Sequence, residues 1–165
     1  MIYAKAHKLN AAVIRFANIY GPRACINSPE FTFNNYFIGL ALQNKGITVF
    51  GEGEQKRNVM YVDDAISSLI AVSRADNIHG ETFFAVGDEH FSVADIARIT
   101  VEIMGTGSVK FIPWPSERKS IEIGDAIITA GKLKKCTDWK PKYNMREGLT
   151  LTKEYYAKCI SKYIC

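Results

Sequence analysis

Between positions 47 and 64 the chain reads ITVFGEGEQKRNVMYVDD, residue types and spacing that suit the holding of a phosphate. Ile47, Thr48, Val49 and Phe50 form a mostly β-branched run that predicts a short strand, stopped by Gly51 and Gly53. Glycine there frees the backbone for a tight turn and can open N–H groups to a ligand. Arg57 follows with Lys56 beside it, Val59 to Val62 predicts a second extended piece, and Asp63 and Asp64 are expected to cap a helix. An arginine holds phosphate through two parallel donors, and free N–H groups in a glycine turn add to that hold. Taken alone, the same residues also describe a solvated loop with a surface arginine, because short motifs often match by chance.

The elements that must position this stretch can be read on either side of it. Residues 1–10 predict the end of a helix, with Tyr3, Ala4, Ala6 and His7 at helical spacing. Residues 11–16 predict an apolar strand of the kind buried on both faces of a parallel sheet, interrupted by Arg15. Residues 18–23 are expected to leave that strand in a turn, with Gly21-Pro22 as the breaker; an asparagine such as Asn18 can bond its own turn there. Residues 29–43 predict a helix with Phe33, Tyr36, Phe37, Leu40 and Ala41 on one stripe, expected in the core rather than as a stacking platform for bases. Residues 63–74 predict a helix burying Ala65, Ile66, Leu69, Ile70 and Ser73, and residues 82–86 predict a second apolar strand. Ser92 with Asp95 has the form of a capping box for a helix ending at Gly105. Residues 109–112 predict a short strand, residues 132–135 a short helix, and Asn144 with Glu147 caps a last helix reaching about Lys162.

The totals narrow the field. A chain of 165 residues with ordinary apolar content is long enough for a real core and is not disordered in character. The net charge of +4 suits anionic small molecules and is no nucleic-acid signature; the lysines between Lys132 and Lys142 are explained by a solvated face. The four cysteines Cys25, Cys136, Cys159 and Cys165 show neither metal-ligand spacing nor a disulfide framework, and read as free thiols of a reducing, cytoplasmic compartment. No apolar run approaches the length needed to span a membrane.

Three stretches together carry a resemblance. The run Val49-Phe50-Gly51-Glu52-Gly53-Glu54-Gln55-Lys56-Arg57, with Tyr61-Val62-Asp63-Asp64-Ala65, resembles a segment of the extended short-chain dehydrogenase/reductases, the NAD-dependent nucleotide-sugar epimerases and dehydratases. The run RFANIYGPR at 15–23 resembles the turn that follows a Rossmann strand in that family, and the tail from Thr137 to Tyr156 resembles its closing segment, where Trp139 and Pro141 are packing residues. The resemblance implies that Arg57 contacts the diphosphate of a nucleotide sugar and that Val49 and Phe50 lie against the base. It places Asn18 between the nicotinamide of NAD and the sugar diphosphate, and it makes Phe33 and Asn34 neighbours of the nucleotide. Many members carry an arginine and an aspartate three residues apart that close over the nucleotide. Here Glu122 stands three before Asp125, which leaves Arg118 or Lys119 to reach the ligand beside Asp125. Asn58 replaces a usual aspartate, a change expected to weaken the contact orienting Arg57.

The fold so implied is α/β: the C-terminal portion of a Rossmann-type parallel sheet plus a small α/β substrate-binding lobe. Only residues 11–16 and 82–86 look suited to a parallel sheet, and two such strands leave both edges open, so the chain reads as part of a domain. The glycine-rich cofactor loop and the Tyr-x-x-x-Lys pair of the family have no match here; Tyr3 and Lys8 have the wrong spacing, and no residue is assigned to catalysis. The implied function is the nucleotide-sugar-binding part of an epimerase or dehydratase, most like UDP-glucose 4-epimerase, with NAD as the family cofactor, a nucleotide diphosphate sugar as ligand and a homodimer as the common assembly. A non-catalytic nucleotide-sugar module and a structural protein retaining the lobe remain open alternatives.

Overall fold

The computed structural model describes residues 2–7, 9–76 and 78–164, and of Lys5 only the backbone; Lys8 and Cys165, named above, lie outside the described residues. After a short helix α1 (Ile2–His7), where the rings of Tyr3 and His7 lie 4.7 Å apart on the surface, the chain builds three small sheets. In the first, β1 (Val13–Phe16) runs parallel to β5 (Thr82–Ala85), with Val13 opposite Thr82. In the second, β4 (Lys56–Tyr61) lies between β2 (Asn18–Tyr20), parallel to it, and β6 (His90–Ser92), antiparallel to it. The third pairs β3 (Gly46–Phe50) in parallel with β7 (Ser108–Ile112).

Period-two alternation places β3: Ile47 and Val49 point into the core and Thr48 points out. Against that inner face pack α2 (Phe33–Leu42) and α4 (Val93–Met104), while α7 (Met145–Ala157) packs on α4 and β4 in the same cluster. The caps are local and of the expected kind. Ser92 accepts from the Asp95 N–H at the start of α4, Gly105 ends that helix in the left-handed region at φ 76°, and Asn144 and Glu147 form the reciprocal box that opens α7. Two tyrosines tie the lobe shut. The Tyr20 hydroxyl donates to the Met145 carbonyl and that of Tyr156 to the Ala24 carbonyl, both at 3.1 Å; burial raises both phenols above their ordinary pKa.

A second cluster gathers Met60, Ala65, Val72, Phe83, Ala85, Leu133 and Trp139 between β5, α3 (Val62–Arg74) and α6 (Gly131–Cys136). The Trp139 indole N–H donates to the Ser67 hydroxyl, in keeping with a packing role. Residues Ser116–Lys119 form a further short helix, α5, and Ile160–Lys162 a final 3₁₀ turn that takes the place of the last helical turns expected up to Lys162.

Several sequence expectations are corrected. Helix α2 starts at Phe33 rather than Pro29, because side chains hold the preceding residues in a turn: Ser28 accepts from the Glu30 N–H, and Asn35 donates to Thr32. Asp63 and Asp64 do not cap α3; they lie within its first turn, with Tyr61 at the cap, and the buried Asp64 carboxylate accepts the N–H groups of Lys142 and Tyr143 instead. Ile66, Leu69 and Ile70 are exposed while Ser68 and Val72 are buried, so the inward face of α3 is rotated from the one expected. Strand β1 is shorter than expected and is not buried on both faces, since β5 is the one strand paired with it among the described residues. Residues 18–20 are not turn but strand, held by β4, and the turn begins at Gly21.

Candidate functional site

One cavity of about 580 Å³ lies between β3, the first turns of α2 and the segment from Trp114 to Glu122. Thr48, Val49 and Phe50 form its floor, Phe33, Tyr36 and Leu40 one wall, and Trp114 and Ile121 the other. Phe50 and Trp114 approach with ring centroids 5.4 Å apart. Gln55, Arg57, Arg118 and Glu122 bring polarity to the cavity. The aromatic stripe of α2 therefore serves the cavity as well as the core expected for it: Phe37 is buried, whereas Phe33 and Tyr36 are half-exposed in the cavity wall.

The glycine turn shapes this cavity by close approach. Gly51 has φ 60°, and a Cβ there would lie 2.4 Å from the Trp114 indole nitrogen. At Gly53, φ 66°, a Cβ would lie 2.5 Å from Val49 and 3.0 Å from the Ala94 backbone nitrogen. The Gly51 N–H donates to the Ile112 carbonyl at 2.8 Å, so the turn does not offer that donor to a ligand as expected.

Arg57 sits in strand β4 rather than in a loop, opposite Phe91 of β6. Its Nη1 donates to the carbonyls of Lys56 (2.9 Å) and Gly124 (2.6 Å), and its Nη2 donates to Glu122 Oε1 at 2.9 Å. The two charged side chains are 16% and 24% exposed. Glu122 Oε1 also accepts the Gly124 N–H, so one carboxylate oxygen bridges the guanidinium and the loop backbone. The loop is pinned to β4 by two further bonds: the Lys56 N–H donates to Asp125 Oδ1, and the Ala126 N–H donates to the Lys56 carbonyl. Segment 122–126 is thus a strap along β4, with Arg57 clamped beneath it.

The structure brings Phe33, Val49, Phe50, Arg57 and Arg118 of the sequence-predicted residues into this one cavity; Asn34 does not line it. Arg118, on α5, is exposed and makes no ion pair among the described residues; Lys119 does not line the cavity. Asn18 and Asp125 fall outside it. Asn18 does not bond its own turn; its amide donates to the Asn58 carbonyl at 3.0 Å, and its own carbonyl accepts from the buried Asn34. Asp125 is spent on the Lys56 backbone. The Asn58 side chain does not orient Arg57: it accepts the Ile128 N–H at 2.7 Å and donates to the carbonyls of Gly87 and Glu89, tying β4 to its neighbours. Sequence reasoning missed Trp114 and Tyr36 as wall residues and Glu122 as a partner of Arg57. A signal for Trp114 was present: an aromatic set between Pro113 and Pro115 directly after a strand is held extended, at a sheet end.

Among the described residues no group of histidines, cysteines and carboxylates is placed to hold a metal, and Cys25, Cys136 and Cys159 are free. Among the described residues no helix is long and apolar enough to cross a membrane.

Residues 1–87 match the model of the NAD dependent epimerase/dehydratase family. UDP-glucuronic acid decarboxylase 1 of Xenopus tropicalis is 30% identical over 160 residues, covering 94% of this chain and 35% of that protein. The UDP-glucose 4-epimerase of Thermotoga maritima, solved with UDP-glucose, superposes with a TM-score of 0.81 at 27% identity, over 96% of this chain and 50% of that one. The UDP-glucuronic acid 4-epimerase of Bacillus cereus, solved with UDP-glucuronic acid and NAD, gives a TM-score of 0.76 at 27% identity, over 95% and 48%. The chain thus spans between about a third and a half of the proteins it matches. These likenesses bear out the expected fold, α/β with part of a Rossmann-type parallel sheet and a small α/β lobe.

Proposed function

This chain belongs to the NAD dependent epimerase/dehydratase family, and from that premise we propose that its cavity holds the nucleotide diphosphate part of a nucleotide sugar. The observation that carries the proposal is a slot walled by the aromatic rings of Phe33, Phe50 and Trp114, with Val49 buried behind it, and lined also by two arginines, Arg57 and Arg118. A planar base buries its faces against such walls, and guanidinium groups meet phosphate through charge-assisted hydrogen bonds. Uracil is the proposed base, because the relatives and structures described above are named for UDP sugars.

The 165 residues are proposed as the nucleotide-sugar-binding part of an epimerase, in the manner of UDP-glucose 4-epimerase. Binding energy collected on base and diphosphate, remote from the reacting carbon, holds the sugar in place for reaction. NAD, when bound in such a protein, supplies a hydride acceptor. Asn18 is the residue assigned to it here, but that amide is committed to the Asn58 carbonyl and Asn18 does not line the cavity described above. No step is therefore derived through NAD, and no residue of this chain is assigned a catalytic role.

Trp114 supplies the test. It lines the cavity, whereas the one other tryptophan, Trp139, is buried in the second cluster. Titration with UDP is expected to quench tryptophan fluorescence saturably, uridine to do so only at much higher concentration, and Trp114→Phe to abolish the signal while calorimetric heat from UDP remains. Absence of saturable binding of UDP by both methods would overturn the proposal.

A further inference from the structure

We infer that Glu122 is a specificity-determining residue which occupies the anion position of the cavity and lowers its affinity for a diphosphate. The inference rests on the nucleotide-binding reading above and concerns what this chain does differently at that site. Three residues before Asp125 this chain carries a carboxylate, Glu122, and the structure shows where that carboxylate goes. It lies 2.9 Å from Arg57 Nη2, in the place a phosphate oxygen would take, and the Gly124 N–H holds the same oxygen there at 2.9 Å. Gly124 has φ 70°, the left-handed backbone that turns its N–H toward Glu122 and its carbonyl toward Arg57.

The arrangement reads as a guanidinium already supplied with an internal anion. Both Nη1 hydrogens go to backbone carbonyls and one Nη2 hydrogen goes to Glu122. A bidentate grip on phosphate needs two parallel donors, so an incoming diphosphate must displace Glu122 or bind beside it against its charge. Arg57 and Glu122 together carry no net charge, which leaves Arg118 as the uncompensated cation of the cavity among the described residues. Like charges brought together in a partly desolvated cleft repel more strongly than in water. The uridine part meets Phe50 and Trp114 and is indifferent to this contest, so Glu122 sets how strongly phosphates, rather than the nucleoside, contribute to affinity.

The test measures dissociation constants of UDP and uridine for the full chain and for Glu122→Gln, Arg57→Ala and the double variant, with melting temperatures on the same samples. Glu122→Gln keeps the shape and removes the charge. It is expected to bind UDP about tenfold more tightly, the equivalent of one charge-assisted hydrogen bond released to the ligand. Uridine affinity is expected to stay unchanged, and the gain for UDP to vanish when Arg57 is alanine. Glu122→Asp, which withdraws the carboxylate by one methylene, is expected to fall between and serves if the glutamine variant folds poorly. Equal or weaker UDP binding by Glu122→Gln would overturn the inference and make Glu122 a positioning residue for Arg57. UDP binding that ignores Arg57→Ala, or fails in every variant, would instead overturn the nucleotide reading beneath it, a result distinguishable from the first.

Discussion

The lobe around Tyr156 and the paired strands β1 and β5 solve the problem of apolar surface differently. In the lobe, Ile47, Val49, Ile96, Leu149 and Tyr156 have at most 1% of their surface exposed, helices α2 and α4 cover the inner face of β3, and α7 packs on α4 and β4. Beside β1 and β5, helix α3 leaves Ile66, Leu69 and Ile70 about half exposed, and Val13 and Phe84 are exposed at 38% each. Parallel strands are ordinarily buried on both faces, and here β1 has one strand neighbour among the described residues. The candidate cavity lies against the lobe: Val49 and Phe37 on its inner side are buried in the lobe's core, whereas Ile121 on its outer side is 71% exposed.

The largest expected effect that sharpens this contrast is at Leu149, buried at the centre of the lobe. Leu149→Ala should cost about 2–5 kcal/mol in urea unfolding, from lost burial plus the cavity left behind. Next comes Gly39→Ala, also in the lobe. The added Cβ would lie 1.8 Å from the Ile26 carbonyl oxygen, a backbone atom that cannot swing aside, and about 1–3 kcal/mol of overpacking cost is expected in the same assay. A wild-type melt after Gly39→Ala would show that α2 and the Ile26 turn are not in register as described.

A smaller, pH-dependent effect follows from the tyrosines. Burial first, with Asp63 and Tyr143 adding to it, pushes Tyr61 up to about 12 from the ordinary 10, and burial raises Tyr20 and Tyr156 as well. A phenol with a raised pKa stays protonated in the fold after it has ionised in the unfolded chain. Its stabilising contribution is whole below pH 10 and is lost as pH climbs from 10 through about 12. Melting temperature should therefore fall across that window, with tyrosinate absorbance rising as the lobe unfolds; a flat melting temperature to pH 12 would contradict the closed lobe. The smallest effect is expected at Leu69→Ala on the exposed face of α3, within about 0.5 kcal/mol. A loss there as large as at Leu149 would mean that the apolar face of α3 is covered in solution and would break the comparison.

What could be read from the residues was what local interactions decide. Strands β3 and β7 follow from β-branched runs with breakers at their ends, and the starts of α4 and α7 follow from caps whose partners lie three residues apart. What could not be read depends on distant partners. β2 and β6 are three-residue strands that exist because β4 pairs with both, and Asp64 left its expected capping role for N–H groups more than 70 residues away. In the site, Val49, Phe50 and Arg57 stand close in sequence and meet in space, and Arg118 joins them. Asn18 and Asp125 are held by Asn58 and Lys56, across 40 and 69 residues, and local pattern carries no trace of that. Glu122 was visible only as a broken spacing; its bond to Arg57 spans 65 residues and needed coordinates.

The most direct test of the claim that this lobe holds a nucleotide diphosphate through Arg57 is the dissociation constant of UDP for the protein and for Arg57→Ala. Melting temperatures are read on the same samples. Loss of a partly desolvated arginine–phosphate contact should weaken binding by roughly 30- to 1000-fold, with Arg57→Lys recovering part of it because a point charge cannot replace the planar fork. An unchanged affinity in Arg57→Ala, or a loss of affinity fully matched by a loss of folding, would contradict the account.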